Sequence, residues 1–377
     1  MKILIFSEFF YPHVGGIEIA LKEIAKGLVR KGHEVGVVAR SDDLDQKKID
    51  GVKFFEVKKP PLRYFYFFRS IKNWRIVKDY DVIHTYNSIP MLSGYLFKNI
   101  FRKPSVLTVL EVLGKSLFKY SKFTEATINY LTEFFYPGMN FNFYSPISNS
   151  TKEMLKTYGV PENKMETIYL GVDHDKFKPI PVNDKLRKKL KIEDDEKVYA
   201  FAGRTSKLKG LSSLIFAANI VKSNFKKSKL LLLVKRADPH VDEFEHVKRL
   251  VERFNLSDHV IILDENVQDN PDYLNLADIL VSPSLSEGFG LSAAEASSMG
   301  KPVVATKVGS LPEIVEDKRS GFLVNPDSPT ELAEKILYLL NNEKEAQKMG
   351  RNGQKYTKKF DWENTVKQYE NVFKSLV

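Results

Sequence analysis

The stretch that decides the fold begins with a short apolar run and ends in a helical pattern. It reads Ile279-Leu280-Val281-Ser282-Pro283-Ser284-Leu285-Ser286-Glu287-Gly288-Phe289-Gly290-Leu291-Ser292-Ala293-Ala294-Glu295. A β-rich run, a turn with glycines and a helix in this order indicate a strand that feeds a helix. Because the same alternation recurs along the chain, the sequence predicts βαβ units and parallel sheets.

The alternation runs through two series that are separated by a break. The predicted strands of the first series are Lys2–Phe6, Val35–Ala39, Val52–Val57, Val82–His84, Val106–Val109 and Lys164–Leu170. Those of the second series are Val198–Ala202, Leu230–Val234, Val260–Leu263, Ile279–Ser282 and Pro302–Ala305. Between them, Gly171–Pro181 mixes glycine, proline and charges as a linker does.

The fold class is therefore α/β, with two doubly wound Rossmann-like domains expected to face each other across a cleft. We expect the first domain at residues 1–175 and the second at 176–360. Two helices are predicted after the last strand. One is opened by Ser328, with Pro329 first and Glu331 third, and the other, Trp362–Leu376, is capped by Asp361. We expect the terminal segment 361–377 to pack back on the first domain.

Composition excludes several classes of protein. The 377 residues include no cysteine, which removes disulfide frameworks, thiolate nucleophiles and thiolate-bound zinc or iron–sulfur sites. No apolar run approaches the roughly 18 residues that span a bilayer, and the apolar start Met1–Phe6 is too brief for a signal peptide. We therefore expect a cytoplasmic protein.

The net charge of +10 bears on partners rather than on the fold. It suits a phosphate-bearing substrate, an anionic membrane surface or nucleic acid, and it is equally typical of a lysine-rich solvated surface. No nucleic-acid-binding motif accompanies the charge, so nucleic acid is not an expected partner.

Ligands of doubly wound sheets bind outside the carboxyl ends of the strands, and two loops there carry suitable residues. Gly15 and Gly16 precede the first helix, where backbone N–H groups are free to meet an anion, although the pair could also be a flexible connection. Arg204 and Lys209 follow the first strand of the second series and together suit a diphosphate, although this could be a solvated basic loop.

The third loop joins the quoted strand to its helix. Gly288 and Gly290 allow a tight turn with N–H groups aimed at an anion, while Glu287 and Glu295 could bind the hydroxyls of a polyol. Two other readings stay open. Ser292-x-x-Glu295 matches a capping box, and Gly288-x-Gly290 followed by Ala293 matches a dinucleotide fingerprint, although the latter belongs in the first βα turn.

Other catalytic and metal-binding patterns are absent from the sequence. It has no phosphate loop of the Gly-x-x-x-x-Gly-Lys type, no His-Glu-x-x-His and no Gly-x-Ser-x-Gly. Asp173 and Asp175 form an acid pair, but their place in the linker favours solvation over metal binding. We expect no metal and no cofactor.

Read together, these motifs resemble the retaining glycosyltransferases of glycosyltransferase family 4, also described as glycosyl transferases group 1, which have the GT-B fold. The matching stretches, in chain order, are Tyr11–Glu18, Gly32–Val35, Asp81–His84, Gly171–Phe177, Gly203–Gly210, Glu287–Glu295, Gly300–Thr306 and Gly309–Glu313. Their joint order over almost the whole chain is far more specific than any single one.

The resemblance implies an enzyme that transfers a hexose from a nucleotide-diphosphate sugar to a glycan or lipid-linked acceptor. The donor site would lie in the second domain and the acceptor site mainly in the first. Retention in the family is usually explained by front-face attack, in which the leaving phosphate takes the acceptor's proton.

The resemblance also assigns roles within the donor site. Arg204 and Lys209 would neutralise the diphosphate as it leaves, and Glu295 would bind the ribose. Gly15 and Gly16 would close on the phosphates from the opposite domain. The sugar would be held by the remaining residues of the donor site, namely Glu287, the amides of Gly288, Phe289 and Gly290, and Leu291 at the helix start.

Two departures from the family pattern keep an alternative open. The family commonly has a histidine where this chain has Leu110, so the chain could be a catalytically impaired protein that binds nucleotide sugars, unless Glu111 takes over the role. In addition, Lys235 and Arg236 stand where a glycine pair is usual and could change how the base or phosphate is held.

Two stretches of the first domain mix aromatic and basic residues. They lie in Arg63–Arg69 and in Phe118–Tyr144, with Lys115, Lys119 and Lys122 near the start of the latter. Such a mixture suits a peripheral membrane surface, although the aromatic residues could equally belong to the core. We therefore expect docking on the inner face of an anionic membrane and a lipid-linked acceptor.

Overall fold

The computed structural model describes residues 1–11, 15–41, 49, 51–58, 71–87, 90–114, 127, 130–131, 133–236, 243–264 and 270–377. Residues 12–14, 63–69, 118 and the lysines at 115, 119 and 122, which the sequence analysis names, lie outside these ranges. The described residues form two compact units. The first comprises Met1–Gly114, Thr127–Gly171 and Phe360–Val377, and the second contains Val172–Lys359.

The first unit is built on a parallel sheet. Its strands are β1 (Lys2–Phe6), β2 (Glu34–Ser41), β3 (Val52–Lys58), β4 (Val82–Tyr86), β5 (Ser105–Val109) and β6 (Phe143–Pro146). They pair in the order β3-β2-β1-β4-β5-β6, and all the pairings are parallel. The strand order therefore reverses between β1 and β4, where the first strand has neighbours on both sides.

The second unit repeats this topology. Its strands are β7 (Lys197–Arg204), β8 (Ser228–Lys235), β9 (Val260–Leu263), β10 (Ile279–Ser282), β11 (Val303–Thr306) and β12 (Gly321–Val324). They pair in the order β12-β11-β10-β7-β8-β9, again in parallel. The order here reverses between β7 and β10, and the predicted doubly wound α/β class is confirmed.

Helices connect the strands. In the first unit they are α1 (Gly16–Arg30), α2 (Pro90–Phe101), α3 (Asn149–Thr157) and the last helix of the chain, α12 (Trp362–Leu376). In the second unit they are α4 (Asp184–Lys189), α5 (Leu211–Asn224), α6 (Phe244–Arg253), α7 (Pro271–Asn275), α8 (Leu291–Ser298), α9 (Leu311–Ile314), α10 (Pro329–Asn341) and α11 (Glu343–Thr357). Short 3₁₀ turns include Ile71–Asp79, Pro137–Met139, Glu162–Lys164 and Lys207–Lys209.

Burial explains why the strands read as continuous apolar runs. Both faces of a parallel sheet are covered by helices, so Ile3, Leu4 and Ile5 in β1 are all fully buried. The helices are instead amphipathic: α1 buries Leu21 and Ile24 on one side and exposes its other face to water.

The last helix is part of the first unit. Helix α12 packs on α1, where the absence of a side chain at Gly27 lets Val366 approach; a Cβ there would lie 2.4 Å from the valine methyl. Asp361 caps α12 by accepting a hydrogen bond from the Glu363 amide, as predicted. The buried Tyr369 hydroxyl anchors the helix to β5 and β6 through hydrogen bonds with the hydroxyls of Thr108 and Ser145.

Several predictions about elements are wrong. Lys164–Leu170 is no strand: after a 3₁₀ turn, only Met165 forms an isolated bridge, to Tyr144. Two strands, β6 and β12, were missed because serine and proline interrupt the apolar run of β6 and a glycine begins β12. The region after the last strand holds three helices rather than two, since Asn342 alone separates α10 from α11.

The two predicted helix starts near the capping signals differ in outcome. Ser328 is the N-cap of α10 and Pro329 its first residue, but the serine side chain makes no capping bond. The capping-box reading of Ser292 is wrong, because α8 begins at Leu291 and its N-cap is Gly290, in the left-handed conformation with φ 89°.

Candidate functional site

The candidate site of the second unit lies where the strand order reverses. Strands β7 and β10 are neighbours there, and the loops that follow them carry the predicted cations and the predicted acid loop. Helices on opposite faces of the sheet diverge at such a reversal, which leaves a crevice at the carboxyl ends of the strands. The fold thus brings two segments about 80 residues apart to one place.

Lys209 and Glu287 are in direct contact. The Lys209 ammonium donates to Oε2 of Glu287 at 2.7 Å, and the two side chains are 21% and 13% exposed. Lys209 ends the 3₁₀ turn Lys207–Lys209, and Gly210 then starts α5 with a φ of 64°. A Cβ at Gly210 would lie 2.0 Å from the Pro283 carbonyl oxygen, so a glycine is needed for this close approach.

Arg204 is the last residue of β7, paired in register with Lys235 of β8, and its side chain is exposed. Within the described residues, its guanidinium has no ion-pair partner. The structure therefore leaves this cation available at the end of the strand that leads to Lys209. Arg236 is instead engaged, since it lies over the Phe244 ring and within 3.6 Å of the Glu245 carboxylate.

The backbone of Glu287 is fixed by the loop that follows β11. Its carbonyl oxygen accepts hydrogen bonds from the amide of Ser310 at 3.1 Å and from the Ser310 hydroxyl at 3.3 Å. Gly309, with a φ of 50°, allows this approach because a Cβ there would lie 2.0 Å from the same oxygen. Sequence reasoning missed the role of Ser310; its place directly after Gly309, in the loop that follows the predicted strand Pro302–Ala305, was the available signal.

The loop after Glu287 presents backbone donors at the start of α8. In the described part of the chain, the amides of Gly288 and Gly290 donate to no protein acceptor. The Phe289 side chain is buried, so that residue can offer a ligand only its backbone. Leu291 and Glu295 are half-buried on α8, one at its start and the other one turn later.

The dinucleotide reading of the same loop has no support in the topology. The Gly288–Ala293 motif follows β10, the fourth strand of its sheet, whereas the fingerprint belongs after the first strand. The N–H groups of this loop are therefore placed to bind an anion, but the loop does not have the position in the topology that a nicotinamide site requires.

In the first unit, Gly15 is the N-cap of α1 and Gly16 its first residue. The Glu18 carboxylate lies over Gly15, where a Cβ would come within 2.2 Å of Oε2. A carboxylate in the first turn is favourable at the positive end of a helix dipole.

The Leu110 loop is held by a residue that sequence reasoning missed. Asn87, directly after β4, accepts a hydrogen bond from the Leu110 amide at 2.8 Å and donates one to the Glu111 carbonyl at 2.8 Å. Asn87 therefore fixes the loop after β5 at Leu110, the position where the family commonly has a histidine. An Asn at the end of a predicted strand was the signal.

His84, in the stretch Asp81–His84, is part of the core. It is fully buried beside Tyr86 and Tyr369, and its Nε2 lies 2.8 Å from the Thr108 hydroxyl. Burial lowers the pKa of His84 to about 3, so the ring is neutral near pH 7. It has no access to a ligand and serves the packing of the first unit.

Comparison with known proteins agrees with this geometry. A family model described as Glycosyltransferase Family 4 matches residues 14–176, and one described as Glycosyl transferases group 1 matches residues 182–356. An uncharacterized glycosyltransferase of Methanocaldococcus jannaschii is 29% identical over 100% of this chain and 99% of its own length.

Two solved structures share the fold over the whole chain. Sucrose-phosphate synthase from Thermosynechococcus elongatus has a TM-score of 0.87 at 22% identity, covering 100% of this chain and 98% of that one. Anabaena HepE, in complex with UDP and glucose, has a TM-score of 0.84 at 24% identity, covering 100% of both chains. The fold is thus GT-B, and the two family models together account for most of the sequence. The chain belongs to glycosyltransferase family 4, and its role is glycosyl transfer.

Proposed function

We propose that the protein transfers a hexose, with retention of anomeric configuration, from a nucleotide-diphosphate sugar to a glycan or lipid-linked acceptor. The observation that carries the proposal is the contact of Lys209 with Glu287 at the strand-order reversal of the second sheet. A cation for the diphosphate and a carboxylate for the sugar lie side by side there, as a sugar diphosphate requires. The complex of HepE with UDP and glucose supports the same class of donor.

The proposed chemistry is charge stabilisation of the leaving group together with positioning. The acceptor hydroxyl oxygen bonds to the anomeric carbon while the bond from that carbon to the phosphate oxygen breaks. The leaving phosphate takes the acceptor's proton. Arg204 and Lys209 stabilise the negative charge that develops on the diphosphate, and neither a metal nor a cofactor is part of the proposal.

The other predicted donor residues take the roles that their places allow. The free amides of Gly288 and Gly290 suit the sugar or its phosphate, and Glu295 is assigned to the ribose. The amide of Phe289 and the helix start at Leu291 complete the assigned set. The contribution of Gly15 and Gly16, which belong to the first unit, stays a prediction.

The experiment is a thermal-shift screen with UDP, GDP, ADP and their glucose conjugates, followed by turnover assays with the nucleotide sugar that stabilises most. A ligand that binds only the native state raises the melting temperature. Glu287→Gln is expected to lower turnover by about 100-fold or more, as loss of a transition-state contact does. Near-normal turnover of this variant would remove Glu287 from the proposed site.

The second candidate is an impaired protein that binds nucleotide sugars without turnover. Leu110 favours it, because its side chain can neither hydrogen-bond a sugar nor share charge. Asn87 already holds the loop backbone, so Leu110→His changes only the side chain that the loop presents. A nucleotide sugar that binds but is not consumed, together with a faster Leu110→His variant, would favour this candidate.

An anionic membrane surface is the proposed location of the acceptor. The described residues 130–131 and 133–141 expose Leu131, Phe134 and Phe135, which are 49%, 61% and 57% accessible. Exposed aromatic side chains in close succession are unusual on a monomer and suit insertion among lipid headgroups. No helix within the described ranges is long and apolar enough to cross a bilayer.

Two basic residues contact this aromatic segment at Asn140. The Lys98 ammonium donates to the backbone carbonyl of Asn140. The Lys164 ammonium donates to the side-chain oxygen of the same residue at 2.7 Å. Residues 90–110 add Arg102 and Lys103 and contain no Asp or Glu. Each cation near an anionic bilayer contributes about 1 kcal/mol, so the segment has the charge that an anionic surface attracts.

Liposome flotation at low salt tests the membrane proposal. Wild type is expected to float with vesicles rich in phosphatidylglycerol and not with phosphatidylcholine vesicles. The variant Phe134→Ser, Phe135→Ser should float less, whereas Phe216→Ser, at an exposed aromatic residue of the second unit, is the matched control. Failure of wild type to bind anionic vesicles would refute docking.

A further inference from the structure

Two donors bind the same oxygen of Glu287. Besides Lys209, the hydroxyl of Ser284 donates to Oε2 at 3.0 Å. Within the described residues, the other carboxylate oxygen, Oε1, accepts no hydrogen bond. The carboxylate therefore has one oxygen committed to the protein and one that is left for a ligand.

Ser284 is itself fixed on the side away from Glu287. It is fully buried, and its carbonyl oxygen accepts a hydrogen bond from the Thr306 hydroxyl of β11 at 2.6 Å. The next amide, that of Leu285, donates to the Leu208 carbonyl at 2.7 Å and ties the loop to the turn that carries Lys209. These hydrogen bonds hold the backbone of Ser284 in place, so its hydroxyl has a fixed position from which it orients the Glu287 carboxylate.

A bound diphosphate would affect the two donors, Lys209 and Ser284, differently. Lys209 is a point charge on a flexible stem, and a bound diphosphate would compete with Glu287 for its ammonium. Ser284 is buried and uncharged, so a diphosphate does not compete for it. When Lys209 serves the phosphates, the serine hydroxyl is the donor that still holds Oε2.

We propose that Ser284 is a positioning residue, which keeps Oε1 of Glu287 directed at a hydroxyl of the donor sugar while Lys209 is occupied by the diphosphate. This inference rests on the proposed function. It separates recognition of the sugar, which depends on Ser284, from recognition of the nucleoside diphosphate, which does not.

The test compares Ser284→Ala and Ser284→Cys with wild type. The thiol keeps nearly the volume of the serine side chain but is a weak donor, so both variants lose the hydrogen bond to Glu287. The matched control is Ser297→Ala, because Ser297 is also fully buried in the second unit and its hydroxyl has no hydrogen-bond partner among the residues that the structure describes.

The measurements are the calorimetric affinity for UDP, GDP and ADP and the kcat and KM with the corresponding glucose conjugates. We expect kcat/KM to fall about 10- to 100-fold in both Ser284 variants, as loss of a hydrogen bond to a charged group does. Affinity for the free nucleoside diphosphate should stay within about twofold of wild type, the spread expected where no contact is lost. Ser297→Ala should match wild type in both.

Three outcomes would overturn the inference. Unchanged kcat/KM in Ser284→Ala would show that Glu287 needs no such donor. A parallel loss of nucleoside diphosphate affinity would make Ser284 a structural residue of the whole site. Recovery of activity in Ser284→Cys would make volume, and not the hydrogen bond, decisive. Wild type that neither binds nor uses any of these nucleotides would instead refute the proposed function, and the inference with it.

Discussion

Removal of Lys209 tests the proposed site most directly, because that side chain has two separable roles. In Lys209→Met the apolar stem remains, but Glu287 loses its counter-charge and the diphosphate would lose a cation. The methionine keeps the bulk of the side chain at a position that is 21% exposed. The variant therefore removes charge and hydrogen bonds and leaves the packing nearly intact.

The expected magnitudes follow from the burial of the pair. Exposed ion pairs contribute about 0–1 kcal/mol, and breaking a fully buried pair costs about 3–5 kcal/mol. Since Glu287 is 13% exposed and still bonded by Ser284, we expect a loss of about 1–2 kcal/mol of stability. A lost charge-assisted contact to phosphate should weaken binding of the nucleoside diphosphate about 10- to 100-fold.

Calorimetry with UDP, GDP and ADP and thermal unfolding measure both effects. The matched control is Lys222→Met, on α5 of the same unit, whose ammonium binds only the Asn255 carbonyl in the described structure. It should leave nucleotide affinity unchanged. Equal affinity of Lys209→Met and wild type for the nucleotide that wild type binds would refute the role of Lys209 as diphosphate ligand.

The remaining predictions concern backbone geometry, packing and pH. Gly309→Ala would place a Cβ 2.0 Å from the Glu287 carbonyl oxygen, so it should cost more than about 2 kcal/mol and reduce turnover. The control is Gly300→Ala, where φ is 74° but the nearest atom to the added Cβ is 3.9 Å away, so the variant should lose only about 1 kcal/mol of stability. Equal melting temperatures of the two variants would contradict the clash at Gly309. Tyr369→Phe deletes two buried hydrogen bonds, at 2.8 and 2.7 Å, and should lower stability to urea by about 1–3 kcal/mol without changing nucleotide affinity; unchanged stability would show that these bonds contribute nothing net. Lys374, His33 and Lys31 lower the pKa of Glu370 to about 2, so this carboxylate stabilises the fold above its ordinary pKa and loses that contribution as the pH falls toward 2. Glu370→Gln should therefore have a free energy of unfolding about 1–2 kcal/mol below that of wild type at pH 7, and chemical unfolding should show this difference shrinking below about pH 4.5. A difference that stays constant from pH 7 to pH 3 would exclude a contribution from the ionisation of Glu370.

Local pattern was sufficient for most elements because it is a property of neighbouring residues. The runs Lys2–Phe6, Val260–Leu263 and Ile279–Ser282 were predicted with their exact bounds, since each is a short apolar stretch bounded by polar or turn residues. Strands β6 and β12 were missed because Ser145 and Pro146 interrupt the first apolar run and Gly321 shortens the second. Lys164–Leu170 has strand-like residues but makes only one bridge, because extended backbone becomes a strand only where a neighbour supplies the ladder.

The candidate site likewise has features that the sequence predicted and contacts that only the structure shows. Its residue types and their motifs could be read in the chain, and the places of Glu287, Gly288 and Gly290 between strand and helix follow from local order. That Lys209 touches Glu287 could not be read, because the contact joins positions 78 residues apart and depends on β10 lying beside β7. Asn87, Ser284 and Ser310 were missed because their roles are set by the loops they face.

The sequence alone determined the α/β class, the two series of strands, the family resemblance and the loops that carry the chemistry. Each of these depends on residues that are close along the chain. Only the tertiary structure decided the strand order of the sheets, the donors on the Glu287 carboxylate and the hydrogen bond by which Tyr369 of α12 joins Thr108, 261 residues away. The physical reason is that hydrogen bonds and close packing act over a few ångströms in space, whatever the distance along the chain.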